Sequence, residues 1–462
     1  MGRLDGKVAI VTGAGSGMGQ APRPPRRPGS CAGSADPVLP SRIFRLSITL
    51  CVGSNREARM PVGGASSSET SAAGNPLENP AFLTAPQTIF PGLRAQGVLA
   101  LGDRGVLVTR SDDIAALLTN PEVFSSGMAT TQTGTQRPLI PLQIDPPRHR
   151  EYRRVLDPLF SPQRMKEMEG PVTELARGLV TAIAAENEVD YVRQFSVQFP
   201  SQVFLALLGL PVGELPRFLE LKDGFIRPEW ITGKPRRHED SVALLKRTAA
   251  SIYEYFDAVI AERRVRPGDD IISWFLKTEV EGTRLSHEDI LDICFLFLVA
   301  GLDTVSASLD CMMLHLALHP ERRRALVEDP SLIPNAVEEL LRWESPVMMV
   351  ARFATEDTEI AGCPVRKGQL VTALLGAANT DEKAIPDPGI VRFDRSVNRH
   401  IAFGRGIHRC LGSHLARLEL RVALREWHAR IPDYRVPAGF QPAFTTSIRS
   451  LSALPLQLGP SA

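Results

Sequence analysis

The stretch that decides the fold runs Phe403-Gly404-Arg405-Gly406-Ile407-His408-Arg409-Cys410-Leu411-Gly412. It places one cysteine in a glycine-rich loop, directly before a helical pattern that covers residues 413–424. Amides at a helix N-terminus and nearby cations stabilise a thiolate and lower its pKa. Glycines allow the backbone to approach a flat cofactor closely. On these grounds Cys410 is either a ligating thiolate or, as for most cysteines, an inert buried thiol.

The same stretch matches the F-x-x-G-x-x-x-C-x-G signature of the cytochrome P-450 family at every fixed position. The resemblance extends over roughly residues 76–462. It implies that Cys410 is the axial ligand to the iron of heme b (iron protoporphyrin IX), and that Phe403, Gly404 and Gly412 contact this cofactor. In that family the thiolate donates electron density that favours O–O cleavage.

A second pattern, Glu339-Leu340-Leu341-Arg342, puts an acid and a base on one helix face. In isolation it would be a surface ion pair worth under ~1 kcal/mol. Upstream of the cysteine loop, however, it resembles the E-x-x-R of the same family. The resemblance implies that Glu339 and Arg342 join a later arginine to brace the heme-side core, and we expect Arg392 to be that arginine.

A third pattern, Ala300-Gly301-Leu302-Asp303-Thr304, lies within an apolar stretch. A buried carboxylate is costly unless it is paired or hydrated, and a threonine inside a helix usually bonds to the preceding turn. A helix kink with satisfied polar groups is therefore one interpretation. The resemblance to the family's A-G-x-D/E-T implies another, in which Gly301 leaves space for dioxygen, Thr304 hydrogen-bonds it and Asp303 relays protons through water.

Several cations match family positions that bind the two heme propionates. His149 and Arg153 resemble the family's H-x-x-x-R and lie on one helix face because four residues separate them. Arg352 and His408 complete the implied set. Neighbouring arginines form either a solvated charged face or a patch on which an acidic ferredoxin docks: Arg148, Arg150, Arg154, Arg405 and Arg409.

Composition excludes several other classes. Lys+Arg 53 and Asp+Glu 52 leave a formal charge of +1, so there is no overall nucleic-acid footprint. The six cysteines show no paired spacing, which favours a reduced, cytoplasmic protein. The longest apolar run, residues 293–302, is about half of the ~20 residues needed to span a bilayer. We therefore expect a buried helix and no membrane anchor.

Residue spacing predicts a mainly α (α+β) fold with a long central helix and a minor β component. The resemblance implies the cytochrome P-450 fold, a large helical domain with a small β-rich subdomain. Apolar residues recur at helical spacing over residues 156–185, 241–263 and 334–343. Ser286 with Asp289 resembles a capping box opening the central helix, which should run toward His319 and end at Pro320. Alternating residues 97–109 and 348–360 predict strands.

The N-terminus suggests a different enzyme. Residues 12–19 form a glycine-rich turn that resembles the cofactor-binding start of a short-chain dehydrogenase. The next stretch, APRPPRRPG, cannot form the helix that must follow, and no Tyr-x-x-x-Lys is present. We expect residues 1–59 to be a non-functional extension, 60–75 a flexible linker and 76–462 the monooxygenase domain.

The resemblance implies that the chain hydroxylates a hydrophobic small molecule with O2. Because no flavin or iron–sulfur segment is evident, a ferredoxin and its NAD(P)H-dependent ferredoxin reductase are the expected partners. A dinucleotide-dependent dehydrogenase and a heme-based sensor or carrier are the competing classes. A steroid, terpenoid or fatty-acid-like substrate would contact an apolar pocket, whose candidate residues are Ile140, Phe225, Trp230, Val299, Val347, Met348, Met349 and Phe444.

Overall fold

The computed structural model describes residues 77, 79–127, 137–280, 282–445 and 448–459. All of them belong to the compact unit formed by residues 71–462. The expected extension 1–59 and linker 60–75 lie outside the described residues. The α-helices are Ala81–Thr84, Phe90–Gln96, Ser111–Thr119, Arg148–Leu156, Pro162–Ile183, Gln198–Leu207, Leu215–Ile226, Pro228–Thr232, Glu239–Val265, Ile271–Lys277, His287–Gly301, Thr304–Leu318, Pro320–Glu328, Ile333–Glu344, Leu375–Ala378 and Ser413–His428.

Helical spacing placed the main helices correctly, with shifted ends. The first predicted segment becomes Pro162–Ile183, because Asp157–Phe160 forms a separate 3₁₀ turn that contains Pro158. Ser161 caps this helix, since its side chain accepts a hydrogen bond from the Arg164 amide. The buried side chains fall on one face of the helix, as an amphipathic pattern requires: Met165, Val172, Ala176, Val180 and Ile183.

The central helix is interrupted, which differs from the single helix expected. His287–Gly301 opens with the predicted capping box of Ser286 and Asp289, and Thr304–Leu318 follows after a turn at residues 302–303. The Thr304 hydroxyl donates to the Ala300 carbonyl at 3.0 Å, which competes with the backbone for that acceptor. Residues 287–318 are long and apolar enough to cross a membrane, yet 78% of the apolar window is buried within the protein.

The predicted β component is present as small sheets. The largest has the order β1-β2-β10-β7-β3, with β2 and β10 parallel and the other neighbours antiparallel. It packs its own apolar cluster, which includes Val108, Ile114 and Val371. The strands are β1 Val98–Ala100, β2 Val106–Val108, β3 Phe124–Ser125, β4 Glu188–Asp190, β5 Glu279–Val280, β6 Thr283–Arg284, β7 Met349–Ala354, β8 Thr358–Ile360, β9 Cys363–Val365, β10 Leu370–Leu374, β11 Tyr434–Arg435 and β12 Pro455–Leu458.

Helix Ser413–His428, here named the cysteine helix, lies at the centre of the helical part. It contacts Pro162–Ile183, Thr304–Leu318 and Ile333–Glu344. Its Trp427 is fully buried against Tyr191 and Phe195. Because this helix is fixed on three sides, the loop before it is held in a defined position.

Candidate active site

The cysteine loop, residues 401–412, is held by its own backbone. The Cys410 amide donates to the Phe403 carbonyl at 2.8 Å, and the Gly404 amide donates to the Ile401 carbonyl at 2.8 Å. Gly406 adopts φ +73°, and a Cβ there would collide with the Leu118 carbonyl. Only glycine satisfies both constraints, so the loop can approach residue 118 closely.

Cys410 is accessible, and the other residues of its loop are half-buried or exposed. Burial of its surroundings raises the pKa of the thiol, whereas the Gly412 amide and the cations Arg153, Arg409 and Arg417 act in the opposite direction. The sulfur therefore faces a recess rather than open solvent. Gly412 is the N-cap residue of the cysteine helix, and its amide is aimed at the sulfur.

Two histidines meet beside this loop. The rings of His149 and His408 are 4.3 Å apart between centroids. Both ring nitrogens of His149 and Nε2 of His408 are buried without a hydrogen-bond partner among the described residues. Burial, assisted by neighbouring cations, lowers the pKa of His149 to about 4 and that of His408 to about 3. Such unsatisfied buried groups call for a polar partner at this place.

Arg352 and Arg153 differ in their hydrogen-bond and ion-pair partners. Arg352, on β7, is buried, and among the described residues it has no carboxylate within ion-pair distance; burial lowers its pKa to about 10. Its guanidinium donates to the Ala351 carbonyl at 2.7 Å. Arg153 instead pairs with Asp157 at 2.7 Å and donates to the Arg409 carbonyl at 2.9 Å. Arg352 is thus available for an anion, whereas Arg153 ties the loop to helix Arg148–Leu156.

The interrupted central helix carries accessible residues next to its turn. Ala300 is exposed and Val299 and Thr304 are half-buried, although most of their helical neighbours are buried. Thr304 starts a helix that packs against the cysteine helix. An apolar wall with one hydroxyl suits a pocket for a hydrophobic molecule and a small polar ligand.

Asp303 and Gly301 contact residues of other helices and loops. Asp303 is buried and pairs with Lys222 at 3.3 Å and, more closely, with Arg227. A Cβ added to Gly301 would lie 2.7 Å from the Phe204 ring. The Phe204 ring therefore occupies the side of Gly301 to which a Cβ would point, and the role of Gly301 beside dioxygen stays a prediction.

The acid–arginine brace is present, with one correction. Arg342 and Glu339 are fully buried and form two hydrogen bonds of 2.9 and 2.8 Å. Arg395 completes the group, with its Nε 3.0 Å from Glu339 Oε2. Arg392 was expected in this role, but that prediction is wrong: its side chain is partly exposed and lies 3.6 Å from Asp387, and only its backbone amide reaches Glu339.

Comparison with known proteins decides the family. The family model for cytochrome P-450 matches residues 224–427. The chain is 36% identical to the probable cytochrome P-450 127A1 of Sinorhizobium fredii, over 73% of this chain and 79% of that protein. It is 33% identical to the vitamin D(3) 25-hydroxylase of Pseudonocardia autotrophica, over 82% of this chain and 95% of that protein. The chain belongs to the cytochrome P-450 family.

Further matches agree with this assignment. The steroid C26-monooxygenase of Mycolicibacterium smegmatis is 34% identical over 74% of this chain and 85% of its own length. The solved structure of the Bacillus subtilis polyketide-synthase cytochrome P-450 PksS superposes with a TM-score of 0.75 at 28% identity, covering 84% of this chain and all of the other. This cytochrome P-450 is therefore a heme b monooxygenase that hydroxylates hydrophobic small molecules.

The residues near Cys410 fit that cofactor. An accessible sulfur at a helix N-terminus can bind iron, and a metal replaces the thiol proton outright. The unpaired nitrogens of His149 and His408, with Arg352, can bind the two propionate carboxylates. The cofactor supplies the oxygen chemistry when bound, and the protein supplies the ligand, the orientation and the exclusion of water.

Sequence reasoning missed several residues of this cytochrome P-450. Lys222 and Arg227, which hold Asp303, lie about 80 residues upstream of it, and no local spacing links them. Arg395 did leave a signal, because it directly follows Phe393-Asp394 just as Arg392 precedes that pair. Trp230, expected to line the pocket, is half exposed, with the Arg227 guanidinium 4.7 Å from the centre of its ring.

Proposed function

We propose that Cys410 is the axial heme ligand and that His149, His408 and Arg352 bind the propionates. One observation carries this assignment: an accessible cysteine at a helix start lies beside buried histidine nitrogens without partners among the described residues. Phe403 and Gly404 shape the loop beneath the cofactor, and Gly412 donates its amide toward the sulfur. Arg153 acts indirectly, by fixing the Arg409 carbonyl.

Thr304 and Asp303 have separate tasks in this proposal. The Thr304 hydroxyl is accessible at the pocket and can pass a proton to dioxygen bound there. Asp303 is the buried acid next to it, and its two cations keep it turned away from the pocket. Proton supply then requires Asp303 to exchange its partners with water.

Electrons come from a ferredoxin and an NAD(P)H-dependent ferredoxin reductase. Exposed arginines on the side of the cysteine loop support docking of an acidic partner: Arg148, Arg150, Arg154, Arg405 and Arg409. Arg148 is the weakest member, because it lies 3.6 Å from Asp289. The cysteines among the described residues form no disulfide, and together with the proposed ferredoxin system this supports a cytoplasmic location.

The substrate is proposed to be steroid-like, with terpenoids and fatty acids as the next classes to test. Two relatives support this choice by their names, a vitamin D(3) 25-hydroxylase and a steroid C26-monooxygenase. Candidate contact residues are apolar, among them Ile140, Phe225 and Met348, which are buried. Residues 1–59 are proposed to be dispensable, so their deletion should leave folding and turnover unchanged.

The experiment joins substrate binding to product formation. The heme protein is titrated with a panel of sterols, terpenoids and fatty acids, while the spin-state change of the iron is recorded. The best ligand is then incubated with ferredoxin, reductase, NADPH and isotopically labelled O2. One labelled oxygen atom in the product supports the proposal. In Thr304→Ala, retained heme with more peroxide and less product is expected; fully coupled turnover would remove Thr304 from the proton path.

A further inference from the structure

Glu338, next to Glu339 on helix Ile333–Glu344, holds a second set of partners. Arg417 of the cysteine helix binds it through two hydrogen bonds, 2.7 Å from Nε to Oε1 and 2.8 Å from Nη2 to Oε2. His400 Nε2 lies 3.0 Å from Glu338 Oε2. Two adjacent carboxylates thus fasten different segments, because Glu339 binds residues 392–398 and Glu338 binds both ends of the cysteine loop.

The hydrogen bonds of His400 define its role. The Ala402 amide donates to His400 Nδ1 at 3.2 Å, so that nitrogen accepts and Nε2 is the one that donates to Glu338. The His400 side chain is almost completely buried. His400 therefore links Glu338 to the backbone at the start of the cysteine loop through its two ring nitrogens.

Glu338 is ionised in this setting. Burial opposes its charge, but the hydrogen bonds from His400 and Arg417 outweigh burial and lower its pKa to about 2. A bidentate arginine–carboxylate pair with a third donor is a strong and directional arrangement. The negative charge of Glu338 is therefore present throughout the working pH range.

Arg417 connects this pair to the cysteine. Its guanidinium carbon lies 4.4 Å from the centre of the Phe403 ring, and the Phe403 carbonyl accepts the Cys410 amide. The path from Glu338 to the sulfur thus runs through one cation, one ring and one backbone hydrogen bond.

We propose that Glu338, His400 and Arg417 form a positioning group that sets the reduction potential of the heme iron through Cys410. Glu338 offsets the charge of Arg417, and His400 fixes the start of the cysteine loop. The inference rests on the proposed ligation by Cys410. None of the three residues belongs to the proposed propionate set or to the Glu339 brace.

The charges of Arg417 and Glu338 determine the direction in which each substitution shifts the reduction potential. Reduction of the iron adds one negative charge, so an uncompensated cation near the sulfur favours the reduced state. Glu338→Gln leaves Arg417 uncompensated and should raise the reduction potential. Arg417→Gln leaves Glu338 uncompensated and should lower it. The double variant removes both charges and should return close to the wild-type value.

The test is spectroelectrochemical titration of the purified heme protein and these three variants. Glu328→Gln is the matched control, since it removes the same charge from an exposed helix position and should leave the potential unchanged. Shifts of opposite sign in the two single variants, cancelling in the double variant, support the proposal. Shifts of equal sign, or a potential in Glu338→Gln equal to that of the control, would overturn it.

Two further measurements distinguish a loss of heme binding from a change in potential. Arg417→Lys keeps the positive charge and should keep the wild-type reduction potential. If Arg417→Gln binds no heme, the potential of Arg417→Lys tests whether the charge at residue 417 sets the potential. Every variant is first checked for the thiolate-type carbon monoxide spectrum. If the wild type lacked that spectrum, ligation by Cys410 would fail; if it had the spectrum but the potentials did not shift, only the role of Glu338 and Arg417 would fail.

Discussion

At the scale of single residues, the hydrogen-bond partners of a charged side chain show whether it stabilises the fold. Arg392 and Arg395 flank the same Phe-Asp pair, and the sequence alone does not distinguish them. The chain turns so that Arg395 points inward to Glu339 and to the carbonyls of Pro386, Asp387 and Ile390. The path of the backbone determines which of the two arginine side chains reaches Glu339. Residue spacing carries no information about that path.

This difference predicts unequal losses of stability. Arg395→Ala should reduce the free energy of unfolding by about 3 kcal/mol, because it breaks a buried ion pair with Glu339 and removes the Arg395 donor from the Pro386 carbonyl. Arg392→Ala should change it by less than about 0.5 kcal/mol, since that side chain is partly exposed. Urea unfolding of the two variants measures both values. Equal losses would contradict the corrected brace.

His428 predicts a dependence of stability on pH. Burial keeps this histidine neutral and lowers its pKa to about 4, with Nδ1 donating to the Leu424 carbonyl and Nε2 accepting from the Tyr434 hydroxyl. The unfolded chain, with an ordinary pKa of 6.5, binds this proton first as pH falls. Stability should therefore decline between about pH 6.5 and 4, by about 3 kcal/mol from His428.

The check is the pH dependence of unfolding in His428→Gln. The variant should be less stable at neutral pH but should lose less stability on acidification than the wild type. His238→Gln, at a half-buried position with a side chain that is 37% exposed, is the control and should keep the wild-type slope. An unchanged slope in His428→Gln would show that other groups cause the acid sensitivity.

At the scale of elements, the central helix shows which structural features could be predicted from the sequence and which could not. The capping box at Ser286 and the end of the helix before Pro320 were predicted correctly. The turn at residues 302–303 agrees with the helix-kink interpretation of the pattern at residues 300–304, since the Thr304 hydroxyl bonds to the preceding turn. The partners of Asp303 were not predicted, because Lys222 and Arg227 lie on a distant part of the chain. Local patterns predict where helices begin and bend, whereas the partners of a buried charge depend on tertiary packing.

Asp303 links this turn to helix Leu215–Ile226 and thereby predicts a kinetic effect. Asp303→Asn should lower kcat and increase the solvent isotope effect, because the buried acid is lost from the proton path. Asp223→Asn is the matched control, since Asp223 contacts the same Lys222 and Arg227 at 3.0 and 3.2 Å but is more exposed. An equal decrease of kcat in both variants would show that Asp303 has only a structural role.

At the scale of the whole molecule, the family and its fold were readable because the loop, the acid–arginine pair and the acid–alcohol pair occur in one order along the chain. Residue patterns also predicted the main helices and the strands within residues 97–109 and 348–360, but not the other strands of the small sheets. The partners of individual side chains did not, since the pairing of Glu338 with Arg417, 79 positions apart, depends on how helices pack. Substrate choice depends on such packing as well.

The proposed docking of a ferredoxin depends on the charge of the whole surface. Arg150→Glu combined with Arg405→Glu should raise the KM for ferredoxin several-fold at low salt and should reduce its dependence on ionic strength. Arg366→Glu, on an exposed turn of the β-rich part, is the control with the same charge change. Steady-state kinetics at two salt concentrations measures the effect. An unaffected KM in the double variant would place the partner elsewhere.

The central claim is that Cys410 binds the heme iron, and one spectrum tests it most directly. Wild type and Cys410→Ser are reduced, exposed to carbon monoxide and compared at equal heme content. The wild type should give the red-shifted band that thiolate ligation produces, and Cys410→Ser should lack it. Retention of that band in Cys410→Ser would show that another residue is the ligand.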